Sequence, residues 1–114
     1  MSNDTLFTKI INREIEADIV YEDDMCLAFK DVNPQAPTHI LIIPKKPIPK
    51  LSDATDEDRE SLGHLMLKVG DIAGLLGVED AFRVVINNGE NAGQTVFHLH
   101  LHLLSGRKMA WPPG

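Results

Sequence analysis

Apolar residues recur three and four positions apart in two stretches of the chain, and this spacing predicts one short and one long helix. The short helix carries its apolar stripe on residues 6, 7, 10 and 11; we expect Asp4 to cap it and expect it to end near residue 13. The long helix begins at Asp53, Thr55 or Asp56 and ends at Gly77, a residue type that favours a helix stop. Its predicted apolar face is Leu62, Leu65, Met66, Val69, Ile72, Ala73 and Leu76.

Short apolar runs between turn-forming residues predict about five strands. Residues 19–21 and 26–29 flank an acidic group and predict a hairpin. Residues 39–43 are nearly all apolar, which is typical of a strand buried on both faces, and we expect Pro44 to end it. Residues 82–87 and 95–104 predict two more strands. The elements together predict an α+β fold with an antiparallel sheet of about five strands, one long helix and one short helix.

The composition fits a single globular domain over residues 1–114, because hydrophobic residues make up 43% of the chain and charged residues 25%. The formal net charge of −6 repels nucleic-acid phosphate, so we expect no nucleic-acid partner and expect any bound anion to lie in a local pocket. The single Cys26 cannot form an intrachain disulfide, and the N-terminal stretch lacks the apolar run of a signal peptide or membrane span. We therefore expect a cytoplasmic protein with no membrane partner.

Three histidines alternate with hydrophobic residues at positions 98, 100 and 102. Because successive side chains of a strand face opposite ways, this spacing predicts that the three imidazoles share one face of the last strand. The opposite face would then hold Phe97, Leu99, Leu101 and Leu103 in the core.

Three interpretations of this histidine face remain open: a polar surface that faces solvent, a zinc site that also uses His39 and His64, and nucleophilic catalysis on phosphorus. The loop before the strand is rich in glycine, amide and hydroxyl groups, which suit an anion better than a dication. We therefore favour catalysis and expect no metal and no other cofactor. In this interpretation His100 attacks through one ring nitrogen while a backbone carbonyl fixes the other as N–H, and His102 donates to the phosphate. The backbone N–H groups of residues 93–95 would cradle that phosphate.

The same residues resemble the signature of the histidine triad family, in which two further hydrophobic residues follow the three alternating histidines. The similarity extends to residues 29–39, to the Ile-Pro-Lys-Lys segment 43–46, to residues 93–95, to Ser-Gly-Arg at 105–107 and to the terminal Trp-Pro-Pro-Gly. Across essentially the whole chain the sequence looks like the Hint branch, the purine nucleoside phosphoramidases. The resemblance implies a HIT-like fold, a homodimer and a purine nucleotide substrate.

The resemblance also implies a role for each matching residue. His100 would form a covalent nucleotidyl-histidine that water then hydrolyses, and His102 would contact the phosphate. His98 would help to build the site, and His39 would orient the triad from behind by hydrogen bonding. Asp31 would accept hydrogen bonds from both ribose hydroxyls, as a carboxylate can.

The other implied residues surround the nucleotide. Apolar walls of the base pocket would be Phe7, Ile10, Phe29 and Val32. The ribose, the phosphate or the scissile bond would be contacted by Asn87, Gly93, Gln94 and Thr95. Trp111 would lie at a dimer interface, because in the Hint branch this terminus reaches the active site of the partner.

The chain departs from the common Hint pattern at three positions. Ala92 stands where paired glycines are frequent, Thr95 where serine is usual, and Ser105 where a double glycine is typical. Two other functions stay open beside phosphoramidate and aminoacyl-adenylate hydrolysis. One is hydrolysis of dinucleoside polyphosphates, and the other is a nucleotide-binding or scaffold dimer whose catalysis is incidental. A zinc-binding signalling protein is a further alternative.

Overall fold

The structure, a computed structural model, describes residues 4–114 and contains a five-stranded antiparallel sheet with one long and one short helix, as predicted. The first three residues of the predicted domain lie outside the described residues. The strands are β1 (Ile19–Glu22), β2 (Cys26–Lys30), β3 (Thr38–Pro44), β4 (Arg83–Val85) and β5 (Leu101–Ser105). The helices are α1 (Leu6–Ile11) and α2 (Arg59–Leu75). The strand order is β1-β2-β3-β5-β4, so β1 and β4 are the two edges of the sheet.

The short helix α1 is capped by Thr5 and not by the expected Asp4. The Thr5 hydroxyl accepts hydrogen bonds from the backbone N–H groups of Phe7 and Thr8, while the Thr8 hydroxyl accepts from the Thr5 N–H. Thr5 has the extended backbone that an N-cap requires, and it directly precedes the first helical residue. This reciprocal cap fixes a helix that buries Phe7 and Ile10 against the sheet.

The long helix α2 follows a 3₁₀ turn at Asp56–Asp58 that is capped by Thr55, one of the three expected start residues. Gly77 follows its C-terminus with a φ of 73°, a left-handed conformation that glycine adopts without strain. The expected burial of Met66 is wrong, because this side chain is 55% exposed. Met66 lies at the margin of the apolar stripe, where helical spacing alone does not separate buried from exposed positions.

The central strand β3 is buried on both faces, as predicted, but it extends through Pro44 instead of ending before it. Pro44 pairs with Cys26 at the last position of the β2–β3 ladder. A proline has no N–H to donate, so it fits only where the ladder ends or needs no donor. The Pro44 carbonyl accepts a hydrogen bond from the His98 side chain.

Apolar side chains form one core on each face of the sheet. The core under α2 includes Leu99, Leu101 and Leu103, which the histidine alternation predicted to be buried. The core under α1 is smaller and includes Leu27, Phe29, Leu41 and Ile43. Among residues 4–114, no helix is long and apolar enough to cross a membrane.

The last strand starts later than predicted. β5 begins at Leu101, and residues 96–98 form a bend, so strand alternation does not extend back to residue 95. Phe97, expected in the core, is therefore 46% exposed. Only His102 of the three histidines belongs to a strand, while His98 and His100 lie in the irregular segment before it. β4 is likewise shorter than predicted, at three residues.

Candidate active site

A pocket of about 330 Å³ opens beside α1 and brings together eight of the predicted site residues. Its apolar lining includes Phe7, Ile10, Phe29 and Val32, and its polar lining includes Asp31, Thr95, His100 and His102. These residues come from α1, from the end of β2, from β5 and from the segment before β5. Their convergence from separate parts of the chain makes this pocket the candidate active site.

The apolar part of the pocket is built around Phe7. Its ring packs edge to face on Phe29, with ring centroids 5.5 Å apart, and on the imidazole of His100, with centroids 5.0 Å apart. Phe7 and Phe29 are both buried, whereas Val32 is fully exposed at the rim. The rigid wall is therefore aromatic, and a flat ring that enters the pocket would meet aromatic edges and faces suited to stacking.

The His100 ring is fixed by the backbone. Its Nδ1 lies 2.8 Å from the carbonyl oxygen of His98, which can only accept a hydrogen bond. Nδ1 therefore carries the hydrogen, and in the neutral ring Nε2 holds the lone pair. The His98 ring is fixed in the same way, because its Nε2 donates to the Pro44 carbonyl at 2.7 Å. The pocket wall thus presents an imidazole whose nucleophilic nitrogen is chosen by a main-chain hydrogen bond.

A second chain of hydrogen bonds fixes His102. The backbone N–H of Gln35 donates to Nδ1 of His39 at 3.0 Å, so this nitrogen carries no hydrogen. Neutral His39 then carries its hydrogen on Nε2 and donates to Nδ1 of His102 at 2.9 Å. His102 is left with its hydrogen on Nε2. His100 therefore exposes a lone pair where His102 exposes an N–H donor, although the two rings are neighbours with centroids 5.0 Å apart.

Burial keeps the histidines of the site neutral. Desolvation is the main cause that lowers the pKa of His39, His98 and His100, because the charged imidazolium loses its water. Burial and the neighbouring His100 and His39 lower the pKa of His102 from 6.5 to about 4. The Asp31 carboxylate opposes these effects at His39, His100 and His102 without reversing them. Near neutral pH the rings are therefore neutral, each with one N–H and one lone pair, as a nucleophile requires.

Asp31 lies at the mouth of the pocket, just after β2. Its Oδ1 accepts a hydrogen bond from the Asn33 N–H at 2.8 Å, which holds the carboxylate in place. Its Oδ2 lies 3.4 Å from Nε2 of His39. A carboxylate oxygen has more than one lone pair, so Asp31 keeps acceptor capacity for a ligand hydroxyl.

The loop before the histidines uses the backbone N–H groups of Gly93 and Gln94 for its own hydrogen bonds. These two groups therefore do not form the expected phosphate cradle. The backbone N–H of Gly93 donates to the Glu90 carbonyl, and that of Gln94 donates to the Gly89 carbonyl. The buried Gln94 side chain accepts from the Gly89 N–H and donates to the carbonyls of Pro49 and Val96. Gln94 therefore stabilises the loop, and of residues 93–95 only Thr95 lines the pocket.

Two other predicted residues lie away from the pocket lining. The Asn87 side chain lies beside Gly93, where a Cβ atom on Gly93 would come within 3.7 Å of it. Trp111 is 82% exposed near the C-terminus. Neither the position of Asn87 nor that of Trp111 reveals a ligand contact within one copy of the chain.

The zinc site that the sequence left open as an alternative would need His64 beside the triad, but His64 and the pair His39 and His102 belong to separate groups of side chains. His64 lies on α2 and its Nε2 is 2.6 Å from the Asp23 carboxylate. Two groups of described residues hold three potential metal ligands within 4.8 Å of one another: Asp31 with His39 and His102, and Asp23 with Cys26 and His64. In the first group the rings of His39 and His102 are hydrogen-bonded to each other. In the second group burial raises the pKa of the Cys26 thiol to about 12.

Several residues of the pocket wall were not predicted from the sequence. Leu41 lies on β3 two positions after His39, and strand alternation could have placed it on the same face. Ile15, Glu16 and Ala17 also line the pocket from the irregular segment between α1 and β1. That segment has no periodicity, so no signal in the sequence pointed to the three residues.

Comparison with known proteins finds related sequences and structures along most of the chain. Residues 12–109 match the family profile described as HIT domain. A HIT-like protein of Synechocystis sp. is 68% identical over 114 residues, covering all of both chains. Among solved structures, a HIT family hydrolase from Legionella pneumophila is 47% identical, with a TM-score of 0.94 over 97% of this chain and 100% of that one. A histidine triad nucleotide-binding protein from Candida albicans is 30% identical, with a TM-score of 0.82 over 96% of this chain and 83% of that one.

Proposed function

The chain belongs to the HIT domain family, and we propose that within it the protein is a purine nucleoside phosphoramidase that hydrolyses the P–N bond of adenosine and guanosine 5′-phosphoramidates. Aminoacyl-adenylates are related substrates in this proposal. The observation that carries it is the hydrogen bond from His100 Nδ1 to the His98 carbonyl, which leaves the Nε2 lone pair beside a pocket of about 330 Å³. Relatives named as a hydrolase and as a nucleotide-binding protein support it.

The reaction has two steps. Nε2 of His100 attacks the α-phosphorus, a bond forms between nitrogen and phosphorus, and the bond from phosphorus to the amine breaks as the amine takes up a proton. Water then attacks the same phosphorus and the bond to Nε2 breaks, which releases the nucleoside monophosphate. The water oxygen stays on phosphorus and a water proton replaces the one that left with the amine, so the enzyme returns unchanged.

The neighbouring groups fit the charges of this substrate. His102 turns its Nε2–H outward, because His39 occupies its other nitrogen, and it donates to a phosphate oxygen as negative charge grows there. Asp31 accepts the ribose hydroxyls, and Phe7 and Phe29 pack on the base. Thr95 offers a hydroxyl at the same wall.

Replacing the nucleophile tests the proposal. His100→Ala removes turnover of adenosine phosphoramidate while nucleotide binding stays measurable by calorimetry. The matched control is His64→Ala, which removes a histidine outside the pocket and keeps turnover. Mass spectrometry of the wild-type protein under turnover should detect a nucleotidyl adduct. Unchanged turnover in His100→Ala would refute the assignment of the nucleophile.

The substrate range separates this function from the alternatives. Faster hydrolysis of a dinucleoside polyphosphate than of the phosphoramidate would identify the protein as a dinucleoside polyphosphate hydrolase. Nucleotide binding without turnover or adduct would show a binding or scaffold protein.

In the proposed function the protein works as a homodimer. The exposed side of α2 carries Gly63, Leu67, Gly70 and Gly74 in one stripe, and Leu67 is 75% exposed. Small residues around an exposed leucine allow a second helix to approach closely. The edge strand β4 could also pair with a second copy.

Sedimentation equilibrium should give a dimer that Leu67→Glu dissociates and that Leu51→Glu, the same change at another exposed leucine, leaves intact. A monomeric wild type would refute the dimer.

A further inference from the structure

We infer that the turn at the end of β5, from Ser105 to Arg107, positions the proline loop of residues 33–37 and thereby sets which ring nitrogen of His102 carries the hydrogen. The catalytic consequence rests on the proposed function, whereas the hydrogen position itself can be measured without any substrate. Arg107 and Gly106 are the positioning residues. Both act through the loop, and Arg107 does so from 72 positions away along the chain.

Three hydrogen bonds connect Arg107 to His102 in sequence. Nε of Arg107 donates to the carbonyl of Gln35 at 3.1 Å. The N–H of the same Gln35 donates to Nδ1 of His39 at 3.0 Å. Nε2 of His39 then donates to Nδ1 of His102 at 2.9 Å. Gln35 is thus held at its carbonyl by the turn while its N–H holds the histidine pair.

Gly106 adds a steric contact to the same loop. Its φ is 96°, and a Cβ atom at this position would come within 2.7 Å of the Pro37 Cβ. Contacts below 3.0 Å essentially do not occur between real Cβ atoms and neighbours. The absence of a side chain therefore allows the turn to lie directly on Pro37, and any side chain would push the loop away.

Ser105 anchors the other side of the turn. Its buried hydroxyl donates to the Ala81 carbonyl at 2.5 Å, which connects the end of β5 to the segment between α2 and β4. The turn is thereby fixed to the body of the domain, and its contact with the loop is fixed as well. The serine at position 105, which departs from the common double glycine, gains a structural reason from this bond.

The hydrogen position matters because His102 can act in two opposite ways. With hydrogen on Nε2 it donates to the anionic phosphate, and with hydrogen on Nδ1 it turns a lone pair toward the same charge. The Gln35 N–H selects the first form by requiring an acceptor at His39 Nδ1. If the loop shifts, His39 loses that constraint, and both hydrogen positions become available to the pair.

The test is nuclear magnetic resonance of the ring nitrogens, which separates N–H nitrogens from lone-pair nitrogens. At pH 7.5 the wild type should show His39 and His102 each with hydrogen on Nε2. Arg107→Ala should show a mixture at both rings, and Arg107→Lys, whose ammonium can still donate to the Gln35 carbonyl, should restore most of the wild-type pattern. Arg59→Ala is the charge-matched control, since Arg59 pairs with Asp56 on an exposed surface.

Turnover provides the second measurement. Arg107→Ala should lower kcat about fivefold with little change in KM, the size expected from losing one hydrogen bond of about 1 kcal/mol. Gly106→Ala should reproduce the ring-nitrogen mixture by displacing the loop directly. Unchanged ring nitrogens in folded Arg107→Ala and Gly106→Ala proteins would overturn the inference. A wild type with the expected ring nitrogens but no turnover would refute the proposed function and leave the inference standing.

Discussion

Because the pKa values of the site histidines are lowered, we expect acid to destabilise the fold between pH 6.5 and pH 4. His102 gives the clearest case, because its pKa falls from 6.5 to about 4 in the folded chain, mainly through burial. Between these values the unfolded chain binds a proton at this residue and the folded chain does not. The contribution of neutral His102 to the free energy of unfolding is therefore fully present above pH 6.5 and is lost as the pH falls toward 4.

The magnitude follows from the same difference. At about 1.36 kcal/mol per pH unit, His102 alone accounts for about 3 kcal/mol, and solvent screening of this partly exposed ring reduces that to about 2 kcal/mol. The pKa values of His39, His98 and His100 are also lowered, so these residues add to the loss in the same direction. The carboxylates with lowered pKa values, such as Asp23, lose their contribution only at more acidic pH.

Urea unfolding at a series of pH values measures this effect at constant protein concentration, so that any self-association is held fixed. The slope of the unfolding free energy against pH should fall in His102→Gln by up to about 1.4 kcal/mol per pH unit. Leu65→Ala is the control, because it lowers stability without removing a titrating group and should shift the curve without changing its slope. A stability that stays flat from pH 7 to pH 5, or a His102→Gln slope equal to that of the wild type, would refute the reasoning.

Three further predictions concern the core and the loop. Leu65→Ala should lower the unfolding free energy by about 2 to 5 kcal/mol, since the side chain is buried under the sheet, and a loss below 1 kcal/mol in urea unfolding would contradict the described packing. Cys26 should resist alkylation at pH 8 in the native protein and react after unfolding, because it is fully buried with a pKa of about 12, and rapid native labelling by mass spectrometry would disprove this. Gln94→Ala should cost about 1 to 3 kcal/mol and speed hydrogen exchange at the Gly89 N–H, which the Gln94 side chain protects; unchanged exchange would show that the loop holds without it.

Local patterns predicted most of the architecture because they report local physics. Helical spacing identified α1 and α2, and the acidic turn between two apolar runs identified the β1–β2 hairpin. The wrong predictions concern the ends of elements, where adjacent residues are both suited to the same position. Thr5 caps α1 in place of Asp4 because the cap must directly precede the first helical residue, and both residue types favour that position. Pro44 stays in β3 because the ladder ends there.

The site was less predictable than the fold, because the sequence does not show which groups its backbone atoms bond to. The loop amides of residues 93 and 94 looked available for a phosphate, but the loop uses them for its own turns. The bend at residues 96–98 starts β5 only at Leu101, and strand alternation could not reveal it. The amides of residues 93 and 94 donate to the nearby carbonyls of Glu90 and Gly89. The segment after the bend is instead held from far along the chain, because the Leu99 N–H donates to the Ile48 carbonyl. A single sequence records the residue types at such places and not their partners.

The chemistry of the site depends on main-chain atoms as well as on its histidines. The His98 carbonyl sets the hydrogen on His100, the Pro44 carbonyl sets it on His98, and the Gln35 N–H sets it on His39 and so on His102. Because burial keeps these rings neutral, each has a single hydrogen, and its position decides whether the ring attacks or donates. A variant that keeps every histidine but moves one of these backbone groups would therefore retain the family signature and lose the difference between His100 and His102 on which the proposed reaction relies.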